Sequence, residues 1–506
     1  MKRESKKVVA TSKRRKRSQM QLCNLPMNIL CSVISKLPTK DAIRTSILSS
    51  QWRYVWCHHT NQLTFDGFMF IRRSIKFSPS YYATAKKEEC NARVDAILQQ
   101  HCGEGVQRIQ VKYALDNKSA GHLDRWVSFA ITSKTKELTL YLSDRRIRSF
   151  TMYADGSDVF PRTKGLYNFP CHLFDANNSS YLRGLQLASV YLKPPADFDG
   201  IRNLKRLSLV DVDIADDDLE SFLSHCKLLE FLEIAYCGML TAIRATHLLN
   251  KLKHLRVGVC DLLEKVEMNC CCLTTLEYIG PMVSLAFAGT SSLTNVCIKF
   301  MAIDAALDYI SKGFPSTLPN VEMLYLHCID SKRVTLPLKT PKFVHLRHLR
   351  LELVISERQD RKTDVLDYAH LLEVAPFMER LELHMWMDCP HQPYDRRTDG
   401  ELRSNTPSHQ HGHLKWVYIT GFFGYKDQVE LAFQILRSSA VLKRMRISSQ
   451  AIIIHYCAAE MIEVYRERHV VDGRMVAMDL FSGTEHADIV EVVGASEIAP
   501  KLGIVH

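Results

Sequence analysis

The sequence predicts an α/β chain in which three short N-terminal helices precede an irregular solenoid with parallel strands, and a strand–helix–strand unit caps the far end. Three observations lead to this fold class. Apolar residues recur at helical spacing between residues 25 and 56, the pattern Leu-x-x-Leu-x-Leu recurs nine times from residue 182, and strand and helix patterns alternate again after residue 413.

Six segments follow from these patterns along the 506 residues. We predict a basic, disordered tail at 1–20, the helical segment at 21–62, the solenoid at 63–386, a flexible loop at 387–412, the capping unit at 413–450 and a C-terminal extension at 451–506. Within the extension we expect one helix, from Ala458 to Arg468.

The helical segment shows three apolar stripes separated by helix-ending signals. The first stripe consists of Ile29, Leu30, Val33, Ile34 and Leu37, and Pro38 ends that helix because the residue before a proline avoids the α region. Thr39 is placed to cap the second helix, and Ser49 or Ser50 to cap the third. Three helices of this size expose apolar surface, so we expect a partner to cover part of it.

Residues 25–56 closely resemble the F-box motif of plant F-box proteins, through the elements LP, LPTKDA and SxxWRxxW in that order. The resemblance implies docking on a Skp-type adaptor, which in turn joins a cullin scaffold and a RING subunit. The alternative interpretation is a plain three-helix cap on the repeat. The residues implied in adaptor binding are Leu25, Pro26, Ile29, Leu30, Ile34, Leu37, Pro38, Ile43, Leu48, Trp52 and Trp56.

One departure from the family motif concerns the affinity for the adaptor. Members of the family usually carry acidic residues directly after Leu-Pro, whereas Met27 and Asn28 stand here. The strength of the adaptor contact is therefore a quantity to be measured.

The net charge of +11 is concentrated at the N-terminus, because residues 2–17 hold nine Lys or Arg and one Glu, which leaves +3 for the rest. A basic tail of this kind does not predict a nucleic-acid-binding face. The KRRKR cluster is typical of a nuclear import signal and equally of a solvated tail. We expect the nucleus, the cytoplasm or both, and no membrane partner, because no run of eighteen apolar residues occurs.

Metal, cofactor and catalytic patterns are weak in this sequence. The sixteen cysteines include no CxxC pair, and without a secretion signal we expect them to be reduced. The residues Cys389, His391, His409, His411 and His413 suggest a metal site, but a flexible insertion is the better interpretation. We find no P-loop, GxSxG or HExxH motif, and we predict neither a cofactor nor catalysis.

The repeats have spacings that mostly fall in the range of leucine-rich repeats. Such repeats bury the two central apolar residues of each strand and turn the residues beside them toward a concave face. Cys237 and Cys260 occupy positions that close the turn after the strand. A preference for acidic partners is one interpretation of that face, and an ordinary solvated surface is the other. The candidate substrate-binding residues are Arg206, Phe231, His254, Arg256, Tyr325, His348, Arg350 and Arg380.

The capping unit resembles the FBD region that ends many plant F-box proteins, through HLK, GF, ELA and the closing LKRMRI. Together these resemblances imply a non-catalytic substrate receptor of an SCF-type (Skp–cullin–F-box) ubiquitin ligase, whose repeats bind a protein substrate. The alternative is a leucine-rich-repeat scaffold or regulatory protein that uses the helices as a structural cap.

Overall fold

A computed structural model describes most of the chain between residues 25 and 494. The basic tail, and residues 458–468 in which a helix is predicted, lie outside the described residues. None of the described helices is both long and apolar enough to span a bilayer. The described ranges are 25–59, 61–66, 85–102, 106–143, 165–175, 180–300, 307, 310–311, 313–330, 341–355, 363–387, 391–395, 402–403, 410–451, 473–482 and 486–494.

The helices lie near the two ends of the chain and in the connections between strands. In chain order they are α1 Met27–Ile34, α2 Thr39–Thr45, α3 Ser50–His59, α4 Ala85–Gln100, α5 Ala120–Thr132, α6 Asp216–Ser224, α7 Phe314–Thr317, α8 Leu371–Val374 and α9 Lys426–Ser438. Residues 473–481 are also helical.

The strands are short and regularly spaced. They are β1 Gln62–Asp66, β2 Arg108–Lys112, β3 Glu137–Tyr141, β4 Tyr167–Asn168, β5 Gly184–Ala188, β6 Val190–Tyr191, β7 Arg206–Val210, β8 Phe231–Ala235, β9 Ala242–Ala245, β10 His254–Gly258, β11 Lys265–Asn269, β12 Thr275–Gly280, β13 Ser284–Ala288, β14 Asn295–Phe300, β15 Met323–Asp330, β16 His348–Ile355, β17 Arg380–Met387, β18 Trp416–Thr420, β19 Arg444–Ser448 and β20 Val490–Val492.

Fifteen of these strands form one parallel sheet, in the order β1-β2-β3-β5-β7-β8-β10-β12-β14-β15-β16-β17-β18-β19-β20. Each of the nine predicted repeats supplies one strand, from β5 to β17, so the predicted solenoid is confirmed. Its core consists of the paired apolar residues of successive strands, such as Leu207 and Leu209, which are fully buried. A second parallel sheet, β9-β11-β13, is built from the connections between the main strands.

The turns that follow four consecutive repeat strands share an unusual backbone conformation. Ser189, Asp211, Tyr236 and Val259 each come directly after a strand and have φ between 49° and 57°. Non-glycine residues rarely adopt this region, so the coil geometry imposes it at each repeat. In two of these turns the residue that follows is a buried cysteine. The thiol of Cys237 donates to the last carbonyl of its strand at 3.5 Å, and the thiol of Cys260 does the same at 3.6 Å. The predicted turn-closing role of these cysteines is confirmed.

The three N-terminal helices join the sheet directly, since α3 ends at His59 and β1 begins at Gln62. The prediction that Thr39 caps α2 is wrong: no side-chain cap is formed there, and Thr39 is buried. Its hydroxyl instead accepts a hydrogen bond from the backbone N–H of Thr64 in β1, at 2.7 Å. This bond connects the helical segment to the first coil of the solenoid.

The predicted strand–helix–strand unit is present as β18, α9 and β19. The unit does not form a separate cap on the sheet, because β18 pairs with β17 in the same register as the preceding strands. One further strand, β20, pairs with β19. The unit therefore extends both the solenoid and its concave face.

The described part of the predicted flexible loop is packed against α9 rather than free. The Nδ1 atom of His391 lies 2.6 Å from an oxygen of Asp427, and Arg403 bonds both Glu430 at 2.5 Å and Asp364 at 2.6 Å. These partially buried ion pairs anchor the loop. Cys389 and His409 lie outside the described residues, and within those that are described no group of three side chains is arranged to hold a metal ion.

Candidate functional site

The helical segment divides its apolar residues between a core and an exposed surface. Four of the predicted adaptor-binding residues belong to the core, since Leu30, Ile34, Trp52 and Trp56 are buried. Trp56 packs edge-on against His101, which follows α4. Their contact with an adaptor stays a prediction, and in this structure their side chains face the interior. They hold the three helices together and against the solenoid.

The remaining predicted adaptor-binding residues are accessible to different extents. Pro26, Ile29, Pro38 and Leu48 are exposed, and Leu25, Leu37 and Ile43 are half-buried. Sequence reasoning missed four exposed apolar or aromatic side chains beside them, which are Met27, Val33, Ile47 and Tyr54. The sequence contains a signal for these four residues. Helix α1 and residues 47–48 hold more apolar side chains than a single buried stripe requires.

The first turn of α1 carries no acidic residue. The side-chain oxygen of Asn28 accepts the N–H of Ile29 at 3.0 Å, so an amide stands where a carboxylate would complement the helix N-terminus. Met27 and Asn28 are both exposed. The departure from the family motif therefore lies on the surface rather than in the core.

The concave face is built from columns of side chains in strict register. Arg206, Phe231, His254 and Thr275 are successive partners on neighbouring strands, and Ser208, Glu233, Arg256 and Glu277 form the column beside them. Both columns continue through β17 into β18 and β19, where they add Trp416 and Arg444 to the first column and Tyr418 and Arg446 to the second.

Around Arg256 the concave face is an ion-pair cluster. Its guanidinium donates to both oxygens of Glu277, at 3.0 and 3.1 Å, and lies 3.4 Å from Glu233. His254 approaches Glu277 to 2.6 Å. Burial alone would raise the pKa of Glu277, but these hydrogen bonds lower it on balance. Arg206 stacks 4.7 Å from the ring centroid of Phe231, a ring that Arg256 also approaches to 5.8 Å.

A second cluster surrounds Glu382, whose side chain is 7% exposed. His348, Arg380 and His384 lie 3.0, 2.7 and 3.3 Å from its oxygens, and Arg350 lies 3.8 Å away. Burial raises the pKa of Glu382, yet the hydrogen bonds from the two histidines and the charge of Arg380 bring it far below its ordinary value.

Glu352 extends this cluster toward Tyr325. Arg350 donates to Glu352 at 2.8 Å and stacks 5.0 Å from the centroid of the Tyr325 ring. Burial opposes the charge of Glu352, but a hydrogen bond from His327 and the charge of Arg350 lower its pKa. Most basic residues predicted for the substrate surface thus have an internal carboxylate as a partner.

The C-terminal end of the concave face has a different character. Trp416 is 46% exposed and lies between Arg380 and Arg444 in the first column. An open depression of about 400 Å³ surrounds it, lined also by Tyr418 and Arg446. We call this the Trp416 depression, defined by Arg380, Trp416, Tyr418, Arg444 and Arg446.

Sequence reasoning placed only Arg380 of the Trp416 depression on the concave face, because residues 413–450 were interpreted as a cap. The signal was present. The spacing Leu414, Val417, Ile419 and the spacing Leu442, Met445, Ile447 repeat the Leu-x-x-Leu-x-Leu pattern of the earlier coils.

Comparison with known proteins identifies both parts of the chain. The family profile described as "At1g61320/AtMIF1, LRR domain" matches residues 97–463, and the F-box domain profile matches residues 22–61. The first match covers strands β2 to β19, which include the capping unit, and the second covers the three-helix segment.

Three proteins of Arabidopsis thaliana illustrate the similarity of individual sequences. F-box/FBD/LRR-repeat protein At1g13570 is 24% identical over 441 residues, covering 85% of this chain and 91% of that protein. Putative FBD-associated F-box protein At5g53635 is 23% identical over 454 residues, covering 84% and 94%. F-box/LRR-repeat protein At5g02910 is 29% identical over 217 residues, covering 43% and 39%.

The leucine-rich-repeat profile spans well over half of the chain and includes strands β2 to β19, while the F-box profile includes α1 to α3. The relatives with FBD in their names align with 85% and 84% of this chain. The chain therefore belongs to the plant F-box/LRR-repeat family and has the F-box, leucine-rich-repeat and FBD organisation of that family.

Proposed function

We propose that this protein is a substrate receptor of an SCF-type ubiquitin ligase. The observation that carries the proposal is the exposed apolar surface of the F-box, where Ile29, Val33, Ile47 and Leu48 face solvent beside a well-packed helical core. Exposed apolar groups on a small helical unit favour burial against a partner. The F-box domain implies a Skp-type adaptor as that partner.

The mechanism we propose is proximity. The adaptor joins the F-box to a cullin and its RING subunit, and the concave face of the repeats holds the substrate. Holding both raises the effective concentration of substrate lysines near a charged ubiquitin-conjugating enzyme. Proteins with this domain organisation are generally substrate receptors rather than enzymes. We propose accordingly that this chain contributes no bond-making residue.

Capture of a purified Skp-type adaptor tests the proposal. The double variant Ile29→Glu with Leu48→Glu places two charges on the exposed apolar surface, and we expect capture to fall at least about tenfold, since each desolvated charge costs more than about 1 kcal/mol. The four buried residues are unsuitable for this test because their replacement would unfold the F-box.

A matched control for this experiment is Leu262→Glu. Leu262 is 56% exposed, close to the 59% of Leu48, but lies in the solenoid between β10 and β11. We expect this variant to capture the adaptor like the wild-type protein. A wild-type protein that captures no adaptor, or a double variant that captures it undiminished, would favour the alternative, a repeat scaffold with a structural cap.

A further inference from the structure

The Trp416 depression combines an exposed aromatic platform with arginines on both sides. Neighbouring strands of a sheet are about 4.8 Å apart, so Arg380 and Arg444 flank the indole at backbone positions about 10 Å from each other. Arg446 lies two residues farther along β19, on the same side of the sheet. The side chains of Arg380 and Arg444 are 56% and 51% exposed, which leaves donors available to a ligand.

The carboxylates already near these arginines show which chemical group they accept. Glu382 lies 2.7 Å from Arg380. Glu491 of β20 lies 2.9 Å from Arg446 and 3.9 Å from Arg444. An arginine has five N–H donors, so one such bond leaves further donors toward the depression. Glu491 therefore stands beside the depression as an internal competitor for an incoming carboxylate.

The balance of charges favours a peptide over a nucleic acid. The positive groups are few, and Glu382 and Glu491 lie among them, so a continuous row of phosphates would meet repulsion. A peptide with two acidic side chains and one apolar side chain between them avoids this repulsion. In an extended chain, residues three apart span about 9–10 Å, which matches the separation of Arg380 and Arg444 across Trp416.

We propose that the Trp416 depression binds an acidic peptide segment whose carboxylates pair with Arg380 and Arg444 while an apolar side chain packs on Trp416. This inference rests on the proposed function and extends it, because the acidic segment then belongs to the protein that is ubiquitinated. Tyr418 and Arg446 also line this site.

Fluorescence polarisation with the full chain and a labelled peptide, Gly-Ser-Glu-Ser-Leu-Glu-Ser-Gly, tests the proposal. We expect the wild-type protein to bind it, and to bind a peptide with Gln in place of both Glu residues at least about tenfold more weakly. Arg380→Ala with Arg444→Ala should lower affinity by about tenfold, and Trp416→Ala by about fivefold. Circular dichroism melts identify any variant that has lost its fold.

Two further variants localise the site. Glu491→Gln removes the internal competitor, and we expect it to bind the peptide about two- to threefold more tightly, a gain that misfolding cannot produce. Arg437→Ala is the matched control, because this exposed arginine also stacks on an aromatic side chain, Phe433, but lies on helix α9 rather than on a strand of the concave face. Its affinity should stay within about twofold of the wild type.

Three outcomes would overturn the inference: no binding by the wild-type protein, equal binding of the Gln peptide, or an equal loss in Arg437→Ala. Adaptor capture by the same variants is measured separately. A protein that captures the adaptor but not the peptide refutes only this site, whereas one that binds the peptide but no adaptor refutes only the ligase function.

Discussion

At the centre of the concave face, from β8 to β17, arginines lie on aromatic rings and donate to nearby carboxylates. Arg256 donates to Glu277 of the neighbouring strand, and Arg350 donates to Glu352 of its own strand. At the C-terminal end, from β17 to β19, arginines also flank aromatic rings, but Trp416 and Arg444 are about half exposed. The same residue types therefore stabilise the sheet in one region and remain available to a ligand in the other.

The difference lies in the exposure of the arginines, because carboxylates accompany them in both regions. In the centre, Arg256 pairs with Glu277 and its side chain is 27% exposed. At the end, Arg446 pairs with Glu491 of the last strand, but the side chains of Arg446 and Arg444 are 46% and 51% exposed. A binding surface on a charged sheet is therefore better located by the exposure of its arginines than by the number of basic residues.

The largest expected effect is a difference in the stability of variants made in the two regions. Glu382→Ala removes a buried carboxylate that pairs with Arg350, Arg380 and two histidines, and we expect the free energy of unfolding to fall by about 3–5 kcal/mol. Glu491→Ala should change it by less than about 1 kcal/mol, because that ion pair is solvated. Urea denaturation measures both values. Similar losses in the two variants would show that the comparison is wrong.

A pH profile tests the same contrast with a smaller expected effect. The pKa of Glu382 is lowered from its ordinary value of 4.5, so the folded protein keeps this carboxylate charged where the unfolded chain takes up a proton. The resulting stability is complete above about pH 4.5 and is lost as the pH falls below it.

The slope of stability against pH is the quantity to compare. We expect Glu382→Gln to show a shallower loss of unfolding free energy between neutral pH and about pH 3 than the wild type, because one proton-binding site is removed. Trp416→Ala removes no titrating group and should retain the wild-type slope. If the unfolding free energy of all three proteins falls with the same slope at acid pH, protonation of Glu382 does not contribute to the loss of stability.

The repeats could be predicted from the sequence because each strand must bury its two central apolar residues, and this requirement leaves a local pattern. The ion pairs could not be predicted, because Arg256 and Glu277 meet only through the register of neighbouring strands. The F-box shows a similar limit. Helical spacing identified Ile29 and Ile34 as apolar positions, but only packing shows that Ile34 is buried and Ile29 exposed.

The C-terminal end shows how an interpretation can hide a pattern. The apolar spacing at Leu414, Val417 and Ile419 equals that of the earlier coils, yet resemblance to a terminal region favoured a cap. Reading the pattern first would have placed Trp416 on the concave face. The exposure of Trp416 would still have required the structure, since it depends on the neighbouring arginines.

The smallest expected effect concerns Arg444. Arg444→Ala removes a half-exposed side chain whose contact with Glu491 is 3.9 Å long, so we expect the free energy of unfolding to change by less than about 0.5 kcal/mol. Arg206→Ala should behave alike, since Arg206 is also exposed. A thermal melt suffices to compare them. A loss above about 1 kcal/mol in Arg444→Ala alone would mean that this arginine supports the sheet, as Arg256 does, and the C-terminal end would then be a continuation of the centre rather than a contrast to it.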